Sequence, residues 1–133
     1  MNKLSENFHL IEFTRSQTAI RKGIDNKPGS TEIYNLRQLA LFVLQPLRDA
    51  LGVALHISSG YRCPLLNVAI RGSLKSQHMQ GKAADVDHPT KNIEIFNWLK
   101  ENVAFDQLIN EYNFSWVHVS FSKRNRNQIL DVT

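Results

Sequence analysis

With 133 residues, 42% of them hydrophobic and 21% charged, the chain suits one globular domain and is too apolar for a disordered polymer. A net charge of +4 attracts polyanions only weakly, and no run of about 18 apolar residues is present to span a membrane. The opening Met1-Asn2-Lys3-Leu4-Ser5-Glu6-Asn7 lacks the apolar core of a secretory signal, so a chain that is cytoplasmic as synthesised, without stable membrane insertion, is expected.

In chain order, Leu10 to Lys22 reads as one short helix and Asp25-Asn26-Lys27-Pro28-Gly29 as a loop. Ser30 or Thr31 is expected to cap a long helix, in which Leu36, Leu39, Ala40, Val43, Leu47, Ala50 and Leu51 recur at helical spacing. Pro46 should kink or divide that helix, and Gly52 should end it. Val53 to Ser58 is β-compatible, Ser59-Gly60-Tyr61-Arg62 a turn, and Pro64 the start of a helix through Ile70 closed by Gly72. Ser73 to Gly81 reads as polar loop, Ala83 to Asp87 as a strand, and Thr90 to Glu101 as a helix capped by Thr90. Two strands follow, about Phe105 to Glu111 and Trp116 to Phe121. The basic tail from Ser122 to Gln128 is read as solvent-facing. Early helices and late strands predict an α+β fold, a single domain over 1–133 with a small antiparallel sheet and helices on one side.

Cys63 is the only cysteine, which excludes an intrachain disulfide and a cysteine-based zinc site. Cys63 itself reads as a buried small apolar group. Any metal must then rest on histidine and carboxylate. His78 and Asp85 lie close together in Ser76-Gln77-His78-Met79-Gln80-Gly81-Lys82-Ala83-Ala84-Asp85, with Gly81 permitting a tight return. Strand alternation puts Asp87 on the face of Asp85 as a reserve ligand. In Trp116-Val117-His118-Val119-Ser120-Phe121, the valines and Phe121 form an apolar face and His118 points the other way. An isolated strand histidine is most often a satisfied core residue; beside a second histidine and an aspartate it completes a recognised catalytic zinc set with an open position for water.

Such a site needs a base, and Glu111 is the candidate. A four-residue loop over Tyr112 to Ser115 pairs Glu111 with Trp116 on the face of His118, whereas a three-residue loop turns it away. Arg62, just after a strand end, could grip a substrate carboxylate or polarise a carbonyl, or act structurally. Ser76 and Gln77 could bind substrate or orient His78. His9, His56 and His88 read as structural or exposed.

Ser-Gly-Tyr-Arg at 59–62, Ser-x-His-x-x-Gly-x-Ala-x-Asp at 76–85 and Trp-Val-His-Val at 116–119, in that order, resemble the zinc D-alanyl-D-alanine peptidases. That family includes D-Ala-D-Ala carboxypeptidases, dipeptidases and phage L-alanyl-D-glutamate endolysins, and hedgehog signalling domains are similar in fold. The resemblance implies that His78, Asp85 and His118 bind Zn2+, that Arg62 contacts substrate, and that Ser76 helps hold its carboxyl end. It also implies a compact α+β fold with the zinc on an antiparallel sheet. Many relatives carry the catalytic acid three residues before the last histidine, where this chain has Ser115; Glu111, preceded by Asp106-Gln107-Leu108-Ile109, looks like a phage and prophage subgroup.

The expected activity is therefore zinc-dependent hydrolysis of bacterial peptidoglycan stem peptides, as a carboxypeptidase or an endopeptidase, with action on the cell wall if the protein is released. A catalytically silent zinc domain of the same fold is the alternative, and it would need no base beside the ligands. A nucleic-acid-binding module is not expected, since no aromatic-plus-basic strand pattern is present. No pattern specifies an oligomeric state.

Overall fold

The computed structural model describes residues 2–133. Two short helices, α1 (Leu10–Thr14) and α2 (Gln17–Lys22), replace the single predicted one. Between them Ser16 is extended, and its side chain accepts from the Ala19 amide and so caps α2. Helix α3 (Ser30–Leu39) is capped by Gly29, not by Ser30 or Thr31, and the Gly29 amide donates to the Glu32 carboxylate.

The helix run predicted to be interrupted at Pro46 changes character just before it. A π-helical turn over Ala40–Leu44 joins α3 to α4 (Gln45–Leu51), with the backbone right-handed throughout. Proline lacks the N–H that a regular helix needs at that point and its ring crowds the preceding turn, so a widened turn accommodates it. Gly52 ends α4 in the left-handed conformation. Buried Gln45 ties the N-terminal segment to α4, accepting from Ser5 Oγ and the Asn7 amide.

After α4 come β1 (His56–Ser59), α5 (Pro64–Ala69), a 3-10 turn over Gln77–Gln80 inside the predicted loop, and β2 (Ala83–Asp87). Helix α6 (Asn92–Asn102) starts after Lys91 rather than at Thr90. The chain closes with β3 (Gln107–Glu111), β4 (Trp116–Ser120) and β5 (Gln128–Val132).

The sheet has the order β1-β2-β4-β3-β5. Its first four strands are antiparallel, but β5 pairs parallel to β3, so the sheet is mixed and the wholly antiparallel expectation is corrected. The fold remains α+β. The basic stretch read as solvent-facing stays largely exposed, and Gln128 at its end opens β5, a strand the sequence reading does not place. That strand was illegible because its side chains stay mostly exposed and show no apolar alternation.

Ala84, Val86, Leu108, Val117 and Val119 point from the sheet into the core, where they meet Leu36, Leu39, Val43, Leu44 and Leu47 of the long helix and Ile95 and Leu99 of α6. Each fully buried leucine contributes roughly 1.5–3 kcal/mol of transfer free energy. With one face of the sheet packed in this way, the opposite side chains of β2, β3 and β4 are left for chemistry.

Candidate metal centre

His78 sits on the 3-10 turn, which Ser76 opens and Gly81 closes. Ser76 Oγ accepts from the His78 amide at 3.2 Å. Gly81 has φ +72°, and a Cβ there would lie 2.4 Å from the Glu32 carbonyl oxygen, so only glycine fits. The His78 ring is buried, and its Nδ1 lies 2.7 Å from the Gly60 carbonyl oxygen. A carbonyl only accepts, so Nδ1 carries the proton and Nε2 keeps its lone pair.

Asp85 lies at the middle of β2, directly opposite His118 on β4. Asp85 Oδ1 is 3.1 Å from His118 Nδ1 and 3.5 Å from His78 Nε2. The two imidazole rings meet edge to face with centroids 5.1 Å apart. One ligand atom from each of the three residues lies within 4.8 Å of the others. The side chains of residues 78, 85 and 118, distant in sequence, thus face one point.

This donor set fits a divalent metal. Ligands about 2.0–2.2 Å from a tetrahedral ion stand roughly 3.4 Å from one another, close to the separations seen here. The lone pair on His78 Nε2 faces a carboxylate oxygen in a buried site, an arrangement that a shared cation relieves. The bond from His78 Nδ1–H to a carbonyl is the outer support that metal-binding histidines commonly have. Burial, partly offset by Asp85, lowers the His78 pKa and favours the neutral imidazole a ligand requires. For Asp85, burial is the largest influence and opposes ionisation, but the His118 hydrogen bond and the adjoining His78 imidazole together outweigh it and hold the carboxyl well below the usual range.

Beside these residues lies an open groove of about 840 Å³. The β3–β4 hairpin has the four-residue loop and pairs Glu111 with Trp116, while His118 pairs with Ile109. Glu111, Trp116 and His118 therefore share one face and line the groove together. Burial, reinforced by Asp85, raises the Glu111 pKa. Arg62 lines the same groove, and burial lowers its pKa against the opposing pull of Asp85 and Glu111. Arg62 Nε is buried with no partner among the described residues.

The loop bearing Arg62 is clasped by Asn26. Its Nδ2 donates to the Thr14 and Tyr61 carbonyls at 2.8 and 2.9 Å, and its Oδ1 accepts from the Cys63 amide at 2.7 Å. Sequence reasoning placed Asn26 in a loop but did not reach this clasp. Ser76 both caps the His78 turn and lines the groove. Gln77 lines it too, but its amide is committed to Asp106 at 2.8 Å.

Asp87 is not brought to the group. Both its oxygens lie 3.2 Å from His56 Nδ1, which gives His56 a partner that sequence reading had not identified. His88 Nδ1 accepts from the Thr90 amide, and the His9 amide donates to Glu12. Cys63 is buried. Sequence reasoning missed Asp106 and Arg126, which form a bidentate ion pair at the groove. An aspartate just before a strand was the one available signal, since the arginine sits in a polar tail without periodicity.

The family model described as Peptidase M15 matches residues 6–120. No curated protein matches the chain. No described helix is long and apolar enough to cross a membrane.

Proposed function

The chain belongs to the Peptidase M15 family, a family of zinc peptidases, and from that membership we propose that it hydrolyses peptide bonds in the stem peptides of bacterial peptidoglycan. The observation that carries this reading is the convergence of His78, Asp85 and His118 beside an open groove that also receives Glu111 and Arg62. A zinc ion bound there would supply Lewis-acid activation of the attacking water and the scissile carbonyl.

The chain's own groups do the rest. His78 and His118 act as neutral ligands and Asp85 as the anionic one. Glu111 takes the proton of the attacking water and returns it to the leaving amine, a role its raised pKa suits. Arg62 pairs with a substrate carboxylate or carbonyl, and Ser76 offers a hydroxyl at the groove wall. Gln77 holds Asp106 through Nε2, while its Oε1 has no partner among the described residues.

A base on the ligand face and an open groove favour an enzyme over a silent zinc domain. Phage or prophage service, with release to the wall, is the setting we infer from the Glu111 spacing. The test is to incubate purified protein with peptidoglycan, with and without a chelator, and to read new termini by mass spectrometry. New amino termini that vanish with chelator support the reading and identify the bond. Intact peptidoglycan under zinc loading overturns it.

A further inference from the structure

Asp106, at the entry to β3, is 3% exposed and is held from three directions. Gln77 Nε2 donates to Oδ2 at 2.8 Å and the Arg126 backbone amide to Oδ1 at 3.0 Å. The Arg126 guanidinium donates through Nε to Oδ1 at 2.9 Å and through Nη2 to Oδ2 at 2.7 Å. That parallel pair occupies one edge of the guanidinium. The other end, Nη1 with the second proton of Nη2, forms no bond among the described residues, and the side chain is 57% exposed while lining the groove.

A buried carboxylate that fixes one edge of a guanidinium presents the other in a set orientation, so little further freedom is lost on binding a second anion. The groove's charge points the same way. Arg62, Arg71, Lys75 and Arg126 line it against Asp85 and Glu111, and Asp85 is already committed to two histidines.

We propose that Arg126 is a specificity-determining residue whose free Nη1–Nη2 end takes a carboxylate of the peptide substrate, one other than the group Arg62 reaches. The preferred substrate is then an acidic peptide with a carboxylate remote from the scissile bond. Asp106 and Gln77 are positioning residues that aim the guanidinium. This rests on the peptidase reading and deepens it by naming the substrate's charge pattern. A merely structural Arg126–Asp106 pair gives no such preference.

The test measures binding by calorimetry, independently of cleavage. Zinc-loaded protein is titrated with L-alanyl-γ-D-glutamyl-L-lysine and with two derivatives, amidated at the glutamyl α-carboxylate or at the terminal carboxylate. One amide is expected to bind the wild type about tenfold more weakly than the parent, as for loss of a charged hydrogen bond. In R126Q that difference vanishes while the other amide's effect persists, the selective coupling expected of groups in contact. Should R126Q fail to fold, R126K, which keeps the charge without the fork, is expected to lose most of the difference. Equal amide effects in wild type and variant, or no amide effect at all, overturn the proposal. Wild-type protein that shows the preference yet cleaves none of the peptides removes the peptidase function and leaves this site standing.

Discussion

The Gly60 carbonyl accepts from His78 Nδ1 at 2.7 Å, so the backbone of one loop fixes the tautomer of a ligand on another. The two loops are zipped further by the Arg62 amide, which donates back to the His78 carbonyl. Gly60 has no room for a side chain: a Cβ would stand 2.6 Å from Phe13 Cα and 2.7 Å from its carbonyl oxygen. G60A is therefore expected to push the loop off α1 and cost about 1–3 kcal/mol, as overpacking does. The displaced carbonyl should also weaken zinc by roughly 10–100-fold, the usual effect of losing an outer partner. Urea melts and zinc competition with a chromophoric chelator measure the two effects; unchanged zinc affinity would remove Gly60 from the metal site.

Glu111 stands outside the three-residue ligand group but on the same sheet face as His118. E111Q keeps the side chain's shape and removes its basicity. It is expected to hold one zinc per chain by elemental analysis while kcat falls by about 10²–10⁴, the range for loss of a general base. Full activity in a zinc-loaded E111Q protein would assign the proton transfer elsewhere.

That placement depends on the hairpin. Tyr112, Asn113 and Phe114 all have positive φ, and Asn110 Oδ1 accepts from the Phe114 amide at 2.6 Å to hold the turn. N110A leaves that amide without its partner and is expected to cost about 1–2 kcal/mol. Because the turn sets the register that aims Glu111, kcat should fall while zinc stoichiometry stays at one. Stability loss with unchanged kcat would show that the strands hold the register without the turn.

Sequence patterning reached the parts of this molecule whose side chains follow a period. The helical leucines of α3 and α4, the bounds of β2, and the inward valines around His118 all follow from the alternation of apolar and polar positions. His78, Asp85, His118, Glu111 and Arg62 were legible as chemistry because their types and order carry meaning, and the fold brings them to one groove. Asp87 stays outside the ligand group because His56, opposite it on β1, takes its carboxylate, a cross-strand pairing that alternation within one strand does not reveal. Other features left no local trace. A parallel edge strand of exposed residues has no periodic signature, and the Asn26 clasp is made by long-range bonds from one amide. The Asp106–Arg126 pair joins residues 20 apart across β3, β4 and the segment that follows, a contact composition does not mark.

Asp106 gives the chain a pH signature separate from the metal site. Hydrogen bonds from Arg126, above all others, draw its pKa down to about 2, against burial that works the other way. A carboxylate depressed in the folded state stabilises fully above its unfolded pKa near 3.9, and that contribution fades as pH falls toward the folded value. The shift corresponds to roughly 2 kcal/mol at neutral pH. D106N also loses the charge that orients Arg126, so its deficit relative to wild type should be largest above pH about 5 and shrink between about pH 4 and 2. Metal-free protein is the material to use, so that loss of zinc in acid does not add to the curve. Urea unfolding of both proteins across that window measures the difference, and a constant gap would mean that Asp106 ionises no more readily folded than unfolded.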